Sequence, residues 1–80
     1  MQLVELTKFL VKNLVSNEDA VEVNVVDEND IKVIQVLVDS SDIASVIGKR
    51  GNIANAIRTI IQASSYHNKD GKIRINFDAK

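Results

Sequence analysis

Two rhythms of hydrophobic and polar residues run through this chain. Near its start, Leu3, Val4, Leu6, Leu10, Val11, Leu14 and Val15 recur at helical spacing, with Glu5, Lys8 and Lys12 on the opposite side. Such spacing predicts an amphipathic helix with one buried side. Phe9 points toward the polar side and fits that scheme poorly. The polar cluster Ser16-Asn17-Glu18-Asp19 is expected to end the helix in a loop. The period then shortens to two. Val21, Val23 and Val25 alternate with Glu22 and Asn24, which predicts a half-buried strand. Asp27-Glu28-Asn29-Asp30 supplies turn residues, and a second β-branched run extends from Ile31 to Val38. The two runs predict an antiparallel hairpin.

Helical spacing returns after Val38. Asp39 or Ser40 is the expected N-cap of a short helix whose stripe is Ile43, Val46 and Ile47 and which Gly48 stops. A longer helix is expected from about Asn52 to Tyr66. Its apolar arc of Ile53, Ala54, Ala56, Ile57, Ile60, Ile61 and Ala63 covers roughly half the helical wheel, wider than the stripe of about 100° that one-sided packing needs. Part of this arc is expected on a sheet and the rest in a groove or against a partner. Asn68-Lys69-Asp70-Gly71 reads as a turn. Ile73, Ile75 and Phe77, alternating with Lys72, Arg74 and Asn76, predict a last strand. The order helix, strand, strand, helix, helix, strand predicts an α+β fold.

Composition narrows the class. Eighty residues, 45% of them hydrophobic, make one domain spanning 1–80 with its own core. There is no cysteine and no proline, so disulfides and thiolate metal sites are excluded and a reducing cytoplasm is the expected setting. Glu5, Lys8 and Lys12 interrupt the N-terminal apolar pattern, so no secretory leader is expected. The apolar runs are too short to span a bilayer. His67 is the single histidine, which leaves no metal-ligand set and predicts no cofactor.

Charge changes the picture more. The net charge is −1 and the pI about 5.7, which argues against coating nucleic acid by bulk electrostatics. Yet no acid occurs between Ile43 and Lys69, a window that holds Lys49, Arg50, Arg58 and Lys69. Inside it stands Val46-Ile47-Gly48-Lys49-Arg50-Gly51. A glycine that ends one helix takes positive φ at little cost, and a second lets the main chain approach an outside molecule closely. The start of the following helix adds unpaired N–H groups and partial positive charge. N–H groups near Arg50, Gly51 and Asn52 are expected to donate to phosphate, with Lys49 and Arg50 adding charge, Arg50 in a bidentate fork. Gly48, Lys49, Arg50, Gly51 and Asn52 are therefore the candidate residues for holding a nucleic-acid backbone. Bases would fall into an aliphatic groove, for which Val38, Ala44, Ile47 and Ile53 are the candidates.

The element order with a Gly-x-x-Gly turn between its last two helices resembles the type II KH domain. Val46 to Gly51 with Ala54, Ile57 and Arg58 carry the likeness. The size and the run Asn17-Glu18-Asp19-Ala20-Val21-Glu22-Val23 resemble, more narrowly, the small bacterial single-KH proteins of the KhpA (YlqC) family. The resemblance implies a mixed three-stranded sheet with three helices on one face. It also implies single-stranded RNA binding, with the loop holding about four nucleotides, in an RNA-binding regulator or chaperone. It implies a homodimer and pairing with a larger multidomain KH protein of the Jag (KhpB) family. Ala54 stands where many KH domains carry a larger aliphatic residue, although a small residue is common there in the small bacterial subfamily.

Plainer roles compete. Gly48 and Gly51 would also serve as an ordinary C-cap and connector, and Lys49 and Arg50 as solvated charges. Arg58 is expected to support the loop or pair locally, His67 to lie exposed at a helix end, and Tyr66 and Phe77 to pack in the core. Ile53 and Ile60 suit a core or an interface equally. With Phe9, Tyr66 and Phe77 as the only aromatics, all distant in sequence from the turn, base stacking worth roughly 1–3 kcal/mol per base is expected to be missing. The leading expectation is a non-catalytic RNA-binding module. The alternative is a protein–protein dimerisation adaptor in which RNA contact is incidental. An enzyme ranks third, since the chain has no thiol, no recognisable Ser–His–acid set and no Gly-x-x-x-x-Gly-Lys-Ser/Thr phosphate cradle.

Overall fold

The computed structural model describes residues 2–68 and 72–80, with the side chains of 66–68 outside the description. The order is α1 (Gln2–Lys12), β1 (Glu22–Glu28), β2 (Ile31–Val38), α2 (Ile43–Ile47), α3 (Asn52–Asn68) and β3 (Ile73–Ala79), with short 3-10 turns at Glu18–Ala20 and Lys49–Gly51. The sheet runs β1-β2-β3, β1 antiparallel and β3 parallel to the central β2. This is the α+β, αββααβ arrangement that the hydrophobic rhythm predicts.

Alternation decides which face is covered. Ile34, Val36 and Val38 of β2 stand in register with Ile75, Phe77 and Ala79 of β3, and Val23 and Val25 of β1 lie opposite Val36 and Ile34. Leu3 and Val11 of α1, Val46 of α2, and Ile57 and Ile61 of α3 close over that face and complete the core. Burying such branched side chains is worth roughly 1.5–3 kcal/mol each before the entropy cost of ordering them. Val33 lies outside this cluster, on the opposite face beside Val26 and Arg74.

The first helix departs from its pattern in two respects. It ends at Lys12, so Leu14 and Val15 follow it, although both still pack against the core. Its buried stripe is Leu3, Thr7 and Val11. The Thr7 hydroxyl donates to the Leu3 carbonyl at 2.6 Å, which removes the cost of an unsatisfied polar group. Phe9 is 65% exposed. The hairpin turn is tighter than the four polar residues suggest. Only Asn29 and Asp30 lie between the strands, both with positive φ (46° and 68°), the handedness that matches strand twist.

The N-cap expectation is corrected. Asp42, not Asp39 or Ser40, precedes α2, and its side chain makes no cap bond. Asp42 is instead 4% exposed, with its two carboxylate oxygens accepting the N–H groups of Ser16 and Asn17 at 3.0 and 3.1 Å. Asp39 accepts from the Ser41 N–H and hydroxyl and from the Asn17 amide. Those bonds, the Ser41 N–H foremost, hold its carboxyl below the ordinary range. The two aspartates thus tie the end of the first helical segment to the start of α2. Of the remaining expectations, the turn at 68–71 falls largely outside the described residues, as do the side chains of Tyr66 and His67.

Candidate nucleic-acid interface

α2 is a single turn and a half long, and Gly48 ends it, its N–H donating to the Ala44 carbonyl at 2.9 Å. Gly48 adopts φ 76°, ψ 177°, a region open essentially to glycine alone. A second reason for glycine comes from across the turn. A Cβ on Gly48 would lie 2.7 Å from Ile53 Cγ1, well inside contact distance. Gly51 also has φ 76°, but a Cβ there would meet only Asn55 Nδ2, at 3.8 Å. The two glycines therefore differ. Gly48 makes room for Ile53 inside the protein, whereas Gly51 turns a bare Cα outward.

Between them Lys49 and Arg50 are exposed. Arg50 is itself left-handed, at φ 55°, ψ 25°, which costs an L-residue with a Cβ roughly 1–2 kcal/mol. Among the described residues the recorded ion pair is Lys80–Glu22, so neither cation of the tip is neutralised by a described carboxylate. The acid-free window read from the sequence thus becomes an exposed cationic tip.

Of the candidate main-chain donors, those of Gly51 and Asn52 need correction. The Gly51 N–H donates to the Gly48 carbonyl at 3.2 Å, and the Asn52 N–H to the Lys49 carbonyl. Both amides are spent inside the turn. Asn52 itself is exposed at the start of α3. Of the groove candidates, Ala44 is exposed and Ile47 and Ile53 are half-buried beside the turn. Val38 is 1% exposed, at the end of the central strand and inside the core. The sequence pattern could not separate Val38 from its neighbours, because the β3 strand that covers its flank is supplied from more than thirty positions away.

The long helix divides its wide arc. Ala54, Ile57 and Ile61 are buried, while Ala56, Ile60 and Ala63 are exposed, Ile60 at 44%. Arg58 turns toward the edge strand. Its Nε–H donates to the Ile75 carbonyl at 3.4 Å, its Nη1 donates to Asn55 Oδ1 at 3.0 Å, and its Cζ lies 5.4 Å from the centre of the Phe77 ring. It thus ties α3 to the edge strand. Among the described residues no helix is long and apolar enough to cross a membrane.

The family model described as KhpA/KhpB, KH domain matches residues 4–78. The RNA-binding protein KhpA of Caldanaerobacter subterraneus subsp. tengcongensis is 45% identical over 65 residues, covering 81% of this chain and 87% of that protein. The RNA-binding protein KhpA of Borreliella burgdorferi is 43% identical over 60 residues, 75% of this chain and 73% of that one. The namesake from Oceanobacillus iheyensis is 37% identical over 73 residues, 91% and 93% of the two chains. No solved structure matches.

Proposed function

The chain belongs to the KhpA/KhpB family of KH-domain proteins, a family without enzymatic activity, and on that footing we propose that it binds single-stranded RNA through the Gly48–Gly51 loop. The sugar-phosphate backbone lies across the bare Cα of Gly51. Lys49 and Arg50 neutralise adjacent phosphates, Arg50 with its planar fork, and Asn52 flanks them. Bases are directed toward Ala44, Ile47 and Ile53, with Val38 supporting the floor from within the core. The observation that carries this reading is the exposed cationic pair between two positive-φ glycines, in a stretch free of acids.

The interface is small. Phe77 is overlaid by Arg58, so stacking adds little and one domain binds weakly. A homodimer presents two loops to one RNA and raises apparent affinity. The exposed stripe Ala56, Ile60 and Ala63 offers an apolar surface to a second copy or to a larger multidomain KH partner of the Jag (KhpB) type. We place this RNA-binding regulator or chaperone in the cytoplasm, as one domain over residues 1–80.

The test is charge reversal. A Lys49→Asp, Arg50→Asp chain is expected to lose RNA binding at least ten-fold while its melting temperature and oligomeric state stay unchanged. For the unaltered chain, two neutralised phosphates predict a log–log salt slope of about −1.4. RNA binding that survives the reversal overturns the reading, and the same matched RNA and DNA oligomers show which nucleic acid is preferred.

A further inference from the structure

Asn55 sits one turn into α3, is exposed, and was not singled out by the sequence pattern. Its side chain has two chemically different ends, and the structure fixes which faces where. Arg58 Nη1 donates to Asn55 Oδ1 at 3.0 Å. Arginine carries donors and no acceptor, so the amide must meet it with its oxygen. The NH2 group is therefore forced to the other side, where it stands 3.8 Å from the position a Cβ would take on Gly51. Arg58 cannot easily swing away and release it. Its Nε–H is committed to the Ile75 carbonyl and its plane to the Phe77 ring. The Asn55 main chain is held as well, because the Thr59 hydroxyl donates to its carbonyl at 3.0 Å. A neutral two-proton donor is thus aimed at the one open side of the turn, where the Gly51 and Asn52 amides are already engaged.

We propose that Asn55 is a further contact of this interface: its amide donates to a sugar-phosphate oxygen of the nucleotide resting on Gly51, and Arg58 is the positioning residue that fixes the donor's direction. The proposal rests on the RNA-binding reading above and extends it. The contact supplies at the outer side of the turn donors in place of the Gly51 and Asn52 amides, which are used internally. Being uncharged, it releases no counterion, so it adds affinity without adding to the salt dependence.

The experiment measures binding of the full chain and its variants to a randomised single-stranded RNA pool, and to a DNA pool of equal length, across a salt series. Asn55→Ala is expected to weaken binding roughly five- to ten-fold with the log–log slope unchanged. Asn55→Asp keeps an acceptor for Arg58, so the fold holds, and sets a negative charge against the backbone; its loss is expected to exceed ten-fold at an unchanged melting temperature. Arg58→Gln is expected to weaken binding in the native chain and to have little further effect in the Asn55→Ala background, the non-additivity of two residues acting through one contact. Equal losses on RNA and DNA assign the acceptor to phosphate; a loss confined to RNA assigns it to the ribose 2′-hydroxyl. If Asn55→Ala and Asn55→Asp bind like the parent chain while Lys49→Asp, Arg50→Asp does not, the role of Asn55 is overturned and the loop reading stands. If the parent chain ignores both pools, the RNA reading fails and this contact falls with it.

Discussion

Among the described residues, two places run through left-handed backbone, and they do so for opposite reasons. At the hairpin, Asn29 and Asp30 take φ 46° and 68°. An antiparallel pair closed by two residues needs this twist, and short polar side chains tolerate it. At the candidate interface loop, Gly48, Arg50 and Gly51 take φ 76°, 55° and 76°. Here one of the three is a long cation, a poor occupant of that conformation. In the hairpin, local preference and architecture agree. In the loop they conflict at Arg50, which is where conflict is expected if a residue is kept for its charge rather than its fit.

Substitutions at the two turns break this contrast in graded steps. Gly48→Ala is expected to do the most damage, destabilising the chain by about 3 kcal/mol or more, because it combines a glycine-only conformation with a clash against the Ile53 side chain. Chemical denaturation would measure it, and a cost no larger than that of Gly51→Ala would refute the steric account. Gly51→Ala is expected to cost about 1–2 kcal/mol for its positive φ alone. It should also weaken RNA binding, since the new methyl stands on the open side. Arg50→Gly sharpens the contrast further. It is expected to raise stability by up to about 1 kcal/mol, as relief of the left-handed conformation outweighs the added chain entropy, while lowering RNA affinity. Improved folding with poorer binding would mark Arg50 as retained for contact. Asp30→Gly is the control at the other turn, with a gain of roughly 0.5 kcal/mol and no change in affinity.

The same contrast marks how far the chain can be read from its residues. Strands announce themselves by alternation: β2 covers the run that predicts it, while β1 starts after Val21 and extends through Asp27 and Glu28, and β3 starts after Lys72. Gly48 likewise ends its helix where expected. What the pattern missed depends on distant partners. Thr7 looks polar by type, but its hydroxyl is satisfied one turn back, so it enters the core. Asp39 looks like a cap, yet Asp42 takes the place before α2 and spends its carboxylate on the Ser16 and Asn17 amides, in the loop that follows α1. Val38 looks like any other strand residue until β3 covers it. At the candidate interface, the positive φ of the two glycines and the exposure of the two cations follow from residue type. The engaged amides of Gly51 and Asn52, the conformation of Arg50 and the orientation of Asn55 do not, since each is fixed by geometry rather than residue type.

The two margins of the sheet carry a separate lesson. Along β3, outward carbonyls at Ile73 and Ile75 are taken up by the Gln62 amide and the Arg58 guanidinium. Along β1, the other margin bears Glu22, Asp27 and Glu28. A ribbon of stacked copies would have to strip the first border of its acceptor partners and set carboxylates against carboxylates at the second. The domain is thereby protected from fusing with other copies into fibres along its own sheet.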